Sequence, residues 1–364
     1  MSTAVPPPAE RPESGPAAAP AGPIPAAAAQ PAQPVVPPVA SPAAAGDDAF
    51  NDPAVAHLPE LTAGDMESPP PRRVMLPVVL FLATCASTFW VGVTHWDPLR
   101  VDYSANWTLV DKVVRENWPV GLEYMAAVLA ILLTHEMGHF LQTVKYGIPA
   151  SFPLCIPVPF NPIGTMGAVI GMDGMKADRR QIFDIGIAGP LAGLVVAFPV
   201  LWIGIKRLDL SAQTEPGEIE FYLPLVAQWM LQWAHPGAEW ARNRWVSLSE
   251  LNPFFMAGWV GMLITGLNML PISQLDGGHT MYALFLDRAH GFARAFISLA
   301  IFYVVVNLDE AVLWTPMLLL VIFLGIHHPK TANDNIELGP VRTAIGYASL
   351  AIPVLCFPLL GVRQ

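Results

Sequence analysis

The sequence predicts a polytopic α-helical membrane protein, with about six or seven transmembrane helices and a short membrane-associated β-hairpin or edge strand after the second of them. Three observations carry this expectation. Only 13% of the residues are charged against 53% hydrophobic, and mean hydropathy is +0.45, whereas soluble domains average about 25% charged residues. Several stretches of 15 to 24 residues carry almost no charge, and a bilayer-spanning helix needs roughly 20 apolar residues. Between two of these, Ser151 to Met172 is apolar, but Pro153, Pro157, Pro159 and Pro162 exclude a regular helix there. An ordinary soluble enzyme is ruled out. The net charge of −10 also excludes a nucleic-acid binder, which needs a basic face. Cys85, Cys155 and Cys356 are odd in number and far apart, so they make neither a disulfide framework nor a cysteine-based zinc site.

In chain order, residues 1–73 form a Pro/Ala-rich tail that holds 18 of the 38 prolines. It has too little bulky apolar surface to offset the entropy of ordering and reads as disordered. It lacks the basic start and apolar core of a signal peptide. Arg11 stands alone before Arg72 among eight acidic residues, which is unlike an organelle transit peptide. The membrane domain, 74–364, then opens with Val74 to Thr94, 21 residues without a charge. Further apolar spans are Pro119 to Val144, Ile182 to Ile205, Phe254 to Pro271, Phe292 to Leu308, Val312 to His327 and Ala344 to Val362. Ile219 to Ala234 is apolar but interrupted by Glu220 and two glutamines, which suits the interface or a partial dip.

Basic residues near span ends set orientation. Arg72, Arg73, Lys145, Lys176, Arg179, Arg180, Arg288, Arg294 and Lys330 fall on one side, which places that side and the N-terminal tail in the cytoplasm. Lys206, Arg207, Arg242 and Arg244 on the other side make the bias modest.

The chemistry-bearing feature is His135-Glu136-x-x-His139 inside the second span. Residues four apart lie on one helical face, so both imidazoles reach one metal ion. Glu136 stands beside them as a general base for an activated water. Ionisable groups inside a bilayer cost roughly 2.5–3.5 kcal/mol each and mark function. A catalytic zinc site normally has three protein ligands and an open position. The third candidate is Asp276, in Asn268-Met269-Leu270-Pro271-Ile272-Ser273-Gln274-Leu275-Asp276-Gly277-Gly278, where Pro271 breaks the helix and the glycines free the backbone to turn. Broken backbone at membrane depth is tolerated where it lines a polar cavity. Sixteen residues separate Pro119 from His135, about 24 Å of helix. The 22 residues from Phe254 to Asp276 span at most about 33 Å. Both end near the cytoplasmic face of a ~30 Å hydrocarbon core.

These residues resemble the site-2 protease family of intramembrane zinc metalloproteases, in which HExxH on one transmembrane helix and the Asp of an N-x-x-P-x-x-x-x-D-G run on another bind the metal. Asn268, Pro271, Asp276 and Gly277 match that run at its spacing. Phe160 to Ile170, with Gly164-Thr165-Met166-Gly167-Ala168, resembles the segment after the family's zinc helix, and Phe183 to Gly193 resembles its next helix. The three groups look most like the plastid branch known for yellow-green mutants, and its bacterial relatives. The resemblance covers about residues 120–281, the expected metalloprotease core. It implies one Zn²⁺ on His135, His139 and Asp276, and hydrolysis of peptide bonds within or near the transmembrane segments of substrate proteins. It also implies a multi-pass protein in the lipid bilayer of a bacterial cytoplasmic membrane. No PDZ or CBS insertion is present in this stretch.

Within that reading Glu136 is the general base and acid, and Asn268 is a candidate oxyanion donor. Phe160, Gly164, Thr165, Met166 and Gly167 are candidate substrate-binding residues on a strand that offers its main chain for β-addition. Gly189-x-x-x-Gly193 reads as a close helix-packing motif, and His279 as a group beside the metal or an alternate ligand. Two other classes stay open: a non-proteolytic transporter or metal-binding membrane protein, and a CAAX-type or heat-shock-type membrane metalloprotease that takes a Glu as third ligand.

Overall fold

The computed structural model describes residues 74–99, 107–172, 174–209, 218–236, 244–272, 275–307, 314–325 and 327–363. The tail at 1–73 and Arg242 lie outside the described residues. The first helix, α1 (Met75–Val93), has an apolar outer face of Leu76, Val78, Val79 and Leu82 and buries Thr84, Ser87 and Thr88 on the other. Each of those hydroxyls has an acceptor. Thr84 and Thr88 donate to carbonyls four residues back, at 2.8 Å each, and Ser87 donates to the carbonyl of Gly164. α1 packs on α2 (Trp107–Tyr146) through facing glycines. A Cβ on Gly92 would lie 2.7 Å from the Cα of Gly121, so the two backbones approach as only glycines allow.

α2 is 40 residues long, about 60 Å, and outruns a bilayer core of ~30 Å. The expected span from Pro119 is its inner part. Its first turns carry the exposed Asp111–Arg115 and Lys112–Glu116 pairs, and Pro119 is accommodated within it. The proline-rich stretch that follows is a hairpin, β1 (Leu154–Val158) antiparallel to β2 (Gly164–Val169), with a register shift between Cys155 and Pro157. The buried Tyr124 of α2 holds its turn by donating to the carbonyl of Ile163 at 2.7 Å.

α3 (Arg179–Lys206) begins at a capping box, in which Asp178 accepts from the amides of Arg180 and Gln181 while Gln181 accepts from the amide of Asp178. Such a cap satisfies orphan donors at the helix start. The expected interfacial stretch is β3 (Glu220–Tyr222) and the short α4 (Leu225–Ala234). β3 pairs with β4 (Trp245–Ser247) and, near the chain end, with β5 (Val362–Arg363). α5 (Pro253–Asn268) is only 16 residues long, yet 12 of them are buried, so protein rather than lipid surrounds it. Asn252 caps it by accepting from the amide of Phe255.

After α5 the chain continues into α6 (Asp276–Phe285), which runs through a single 3-10 turn at Leu286–Arg288 into α7 (Ala289–Val306). The span expected at Phe292 thus belongs to a longer stretch that starts at Asp276. α8 (Thr315–Leu324), α9 (Pro340–Ser349) and α10 (Ile352–Cys356) complete the described chain. Among the described residues four helical stretches are long and apolar enough to cross a membrane: 75–93, 107–146, 179–206 and 276–306. The helices at 253–268 and 340–356 are apolar but shorter.

Polar ties fix α2, α3, α6 and α9 around one end of the bundle. Arg342 on α9 makes two bonds to the Asp184 carboxylate at 2.8 Å, and the hydroxyl of Tyr146 at the end of α2 donates to the same group. Arg179 at the start of α3 donates to the carbonyls of Ala283 and Leu284 at the end of α6. Asp184 therefore plays a structural part, tying α3 to α9 and to the end of α2, the helix that carries the two histidines.

Candidate metal centre

His135 and His139 sit one turn apart on α2, as their spacing demands, and Asp276 is the first residue of α6. The loop from Met269 brings the start of α6 against the backbone of Met269 and Leu270, and α6 packs on α3. Gly277 and Gly278 do not turn the backbone, as the sequence suggests; both lie in the first helical turn without a positive φ. Gly277 is needed for space, because a Cβ there would stand 2.1 Å from the Met269 carbonyl oxygen.

Three acceptor atoms converge. His135 Nε2 is 3.2 Å from Asp276 Oδ2, His139 Nε2 is 3.3 Å from the same oxygen, and the two Nε2 atoms are 3.2 Å apart. Zinc bonds of roughly 2.0–2.1 Å at the tetrahedral angle hold neighbouring ligand atoms about 3.3–3.4 Å apart. The triangle fits a tetrahedral ion with one position left over. The tautomer of His139 suits the task as well. Its Nδ1 donates to the Ile185 carbonyl at 2.7 Å, which leaves Nε2 as a lone pair aimed at the ion, the usual arrangement behind a metal-bound imidazole. His135, His139 and Asp276 form the group of ligating side chains found within 4.8 Å of one another among the described residues. The third acceptor is an aspartate, so the alternative with a glutamate ligand has no counterpart in this cluster.

Room for the two rings comes from α3. A Cβ on Gly189 would lie 2.0 Å from His139 Nε2, and one on Gly193 would lie 3.1 Å from His135 Nδ1. On α2, a Cβ on Gly138 would meet the Ala188 carbonyl at 2.5 Å. The glycine spacing read as helix packing thus also makes space for the metal ligands, which the spacing alone does not disclose.

The centre opens into a cavity of about 180 Å³ lined by His135, Glu136, His139, Asn268, Asp276 and His279 and, opposite, by Ala168, Val169, Ile170 and Met172. Glu136 is buried, at 5% exposure. The Asn268 amide lies 3.3 Å from His135 Nε2. Of the five residues named as substrate-binding candidates, Phe160, Gly164, Thr165, Met166 and Gly167, none lines this cavity. Gly164 packs on the backbone of Thr88, Thr165 is buried and donates to the Ile156 carbonyl at 2.9 Å, and Phe160 and Met166 are exposed farther along the hairpin. Residues 168–170, two to four positions past Met166, form the cavity wall instead.

The profile of peptidase family M50 matches residues 123–308, which is 186 of the 364 residues. This chain belongs to peptidase family M50. The M50 match encloses the part of α2 that carries His135 to His139, the whole of α6, Asn268 and the hairpin. Similar proteins include the "Probable zinc metalloprotease EGY1, chloroplastic" of Oryza sativa subsp. japonica, 29% identical over 283 residues, or 71% of this chain and 46% of that protein. The EGY1 protein of Arabidopsis thaliana is 28% identical over 232 residues, covering 58% of this chain and 40% of its own length. The EGY2 protein of the same plant is 28% identical over 245 residues, covering 65% and 40%. The M50 chain therefore spans less than half the length of these relatives. Family and relatives bear out the resemblance carried by HExxH and the Asn268–Gly277 run; the relatives' names give zinc as their metal, and His135, His139 and Asp276 form a group that suits it.

Proposed function

We propose that this M50 chain is an intramembrane zinc metalloprotease that hydrolyses peptide bonds within or near transmembrane segments of substrate proteins. The observation that carries the reading is the 3.2–3.3 Å triangle of His135, His139 and Asp276 acceptors with Glu136 in the same buried cavity. Bound zinc would supply Lewis acidity, polarising a carbonyl and acidifying water. Glu136 takes the proton of the attacking water and returns it to the leaving amine. Asn268 donates its amide to the charge developing on the carbonyl oxygen. Among the described residues β2 belongs to a two-stranded sheet, so one of its edges has no strand partner there, and its end lines the cavity. An unwound substrate segment adds to that edge, which exposes peptide bonds that a helix would shield.

The proposal extends to organisation and location. Residues 1–73 lie on the cytoplasmic side, 74–364 are the membrane domain, and 120–281 are its catalytic core. The protein is multi-pass in a bacterial cytoplasmic membrane, with the site near the cytoplasmic face, where Lys145, Lys176, Arg179 and Arg180 cluster along the chain. The full chain in lipid vesicles, given a reporter transmembrane peptide, is expected to lose all cleavage on treatment with a zinc chelator and to regain it with one equivalent of zinc. Undiminished cleavage by metal-depleted protein overturns the proposal.

A further inference from the structure

A second pair of histidines adjoins the metal centre. His279 lies one turn beyond Asp276 on α6, and its ring lines the same cavity. His279 Nδ1 is 2.7 Å from His328 Nε2, and His328 Nδ1 is 2.6 Å from the Pro329 carbonyl oxygen. A carbonyl oxygen only accepts, so neutral His328 carries its proton on Nδ1 and presents Nε2 as a lone pair. His279 must then donate from its own Nδ1. Its Nε2 is left as an unprotonated acceptor, in no hydrogen bond among the described residues, and it is the ring's remaining polar atom for the cavity.

The supporting group is held firmly. The ring of His328 stacks on Tyr282 at 4.3 Å and 13°, and the Tyr282 hydroxyl donates to Asp334 at 2.9 Å. The His328 amide donates to His290 Nε2 at 3.3 Å. Behind His279, a Cβ on Gly186 would stand 2.9 Å from the Cβ of His279, so α3 pins the ring's base. Two residues from a distant segment thus fix one tautomer of one cavity-lining ring.

What does such an acceptor meet? In an extended chain, successive N–H groups point to opposite edges. A substrate strand laid on β2 turns half of its N–H groups toward β2 and half away, and α6 also lines that cavity. A buried N–H without an acceptor is costly. We propose that His279 Nε2 is a substrate-binding group that accepts a main-chain N–H of the extended segment on the edge facing away from β2, with His328 as the positioning residue that sets its tautomer. This rests on the protease reading above.

The test is an ester scan, in which each peptide N–H of the reporter segment is replaced in turn by an ester oxygen. Cleavage by the full wild-type chain and affinity for the full-chain Glu136→Gln variant are both measured. One ester position is expected to cost wild type about tenfold in kcat/KM and affinity. The same position is expected to cost nothing further in His279→Phe, which itself binds the all-amide peptide about tenfold more weakly while keeping its zinc. His328→Phe, which preserves the stack on Tyr282, is expected to show the same suppression in part. It stands in if His279→Phe does not fold. A scan whose penalties are identical in wild type and both variants, or loss of zinc from folded His279→Phe, overturns the assignment. Absence of cleavage by wild type counts against the protease reading alone, because the affinity scan still decides the role of His279.

Discussion

Glu136→Gln is expected to keep one zinc per chain and to cut reporter cleavage by about 10²–10⁴-fold, the range a positioned general acid–base contributes. The substitution is nearly isosteric, and Glu136 is not one of the three converging ligands, so the metal geometry has no reason to change. What disappears is the group that accepts a proton and gives it back. The residue is buried at 5% exposure and lines the cavity with the ligands, so bulk water is poorly placed to replace it. Zinc content is measured by mass spectrometry of the purified protein, and cleavage by gel shift of the reporter. A variant with full zinc and wild-type rate would remove Glu136 from the mechanism and revive the reading as a metal-binding or transport protein.

Gly189→Ala should strike the metal rather than the proton transfer. Its new Cβ would fall 2.0 Å from His139 Nε2, far inside contact distance, and the ring has little freedom because its Nδ1 is tied to Ile185 at 2.7 Å. Either the ring leaves the ligand position or α3 moves off α2. Both outcomes lower zinc occupancy to near zero and abolish cleavage. Gly193→Ala, where the closest approach is 3.1 Å, should keep most of its zinc. Gly291→Ala, which meets nothing within 4 Å, should match wild type. Equal zinc content in all three variants would show that α3 does not shape the ligand positions.

The legible parts of this site are those governed by periodicity. A His-x-x-x-His spacing on a helix leaves no choice about which face the rings share, and helix arithmetic alone brings Asp276 to their depth. Prolines at 153, 157, 159 and 162 forbid a helix whatever surrounds them, and the hairpin follows. The segment up to Ile170 was legible as the hairpin beside the site, but which of its residues form the cavity wall depends on the register shift between Cys155 and Pro157. A shift of one residue exchanges the faces of a strand, and its one mark in the sequence is Gly167, which takes a positive φ at the irregularity. The Ile185 carbonyl behind His139 has no sequence signature either, since every residue has a carbonyl. Gly189 was visible as a packing residue, yet that the missing side chain is room for an imidazole requires the contact itself. His328 stands 49 residues from His279, and only the fold joins them.

Burial explains the short helix as well. Sequence length read α5 as a span like the others, but its near-complete enclosure by protein relieves it of matching the lipid thickness, and it can stop at Asn268 where the site begins. The turn at Leu286–Arg288 joins α6 to α7, so the helix that starts at a ligand continues outward as an apolar surface of Leu299, Phe302, Val305 and Val306.

The most direct measurement is zinc K-edge X-ray absorption on the purified full-length protein, beside its Asp276→Ala variant. Two imidazole nitrogens and carboxylate or water oxygens, all at about 2.0–2.2 Å, are expected in wild type, with one oxygen shell altered or the ion gone in the variant. A sulfur shell at about 2.3 Å, or a spectrum that Asp276→Ala leaves unchanged in amount and shape, would contradict a site assembled from α2 and α6.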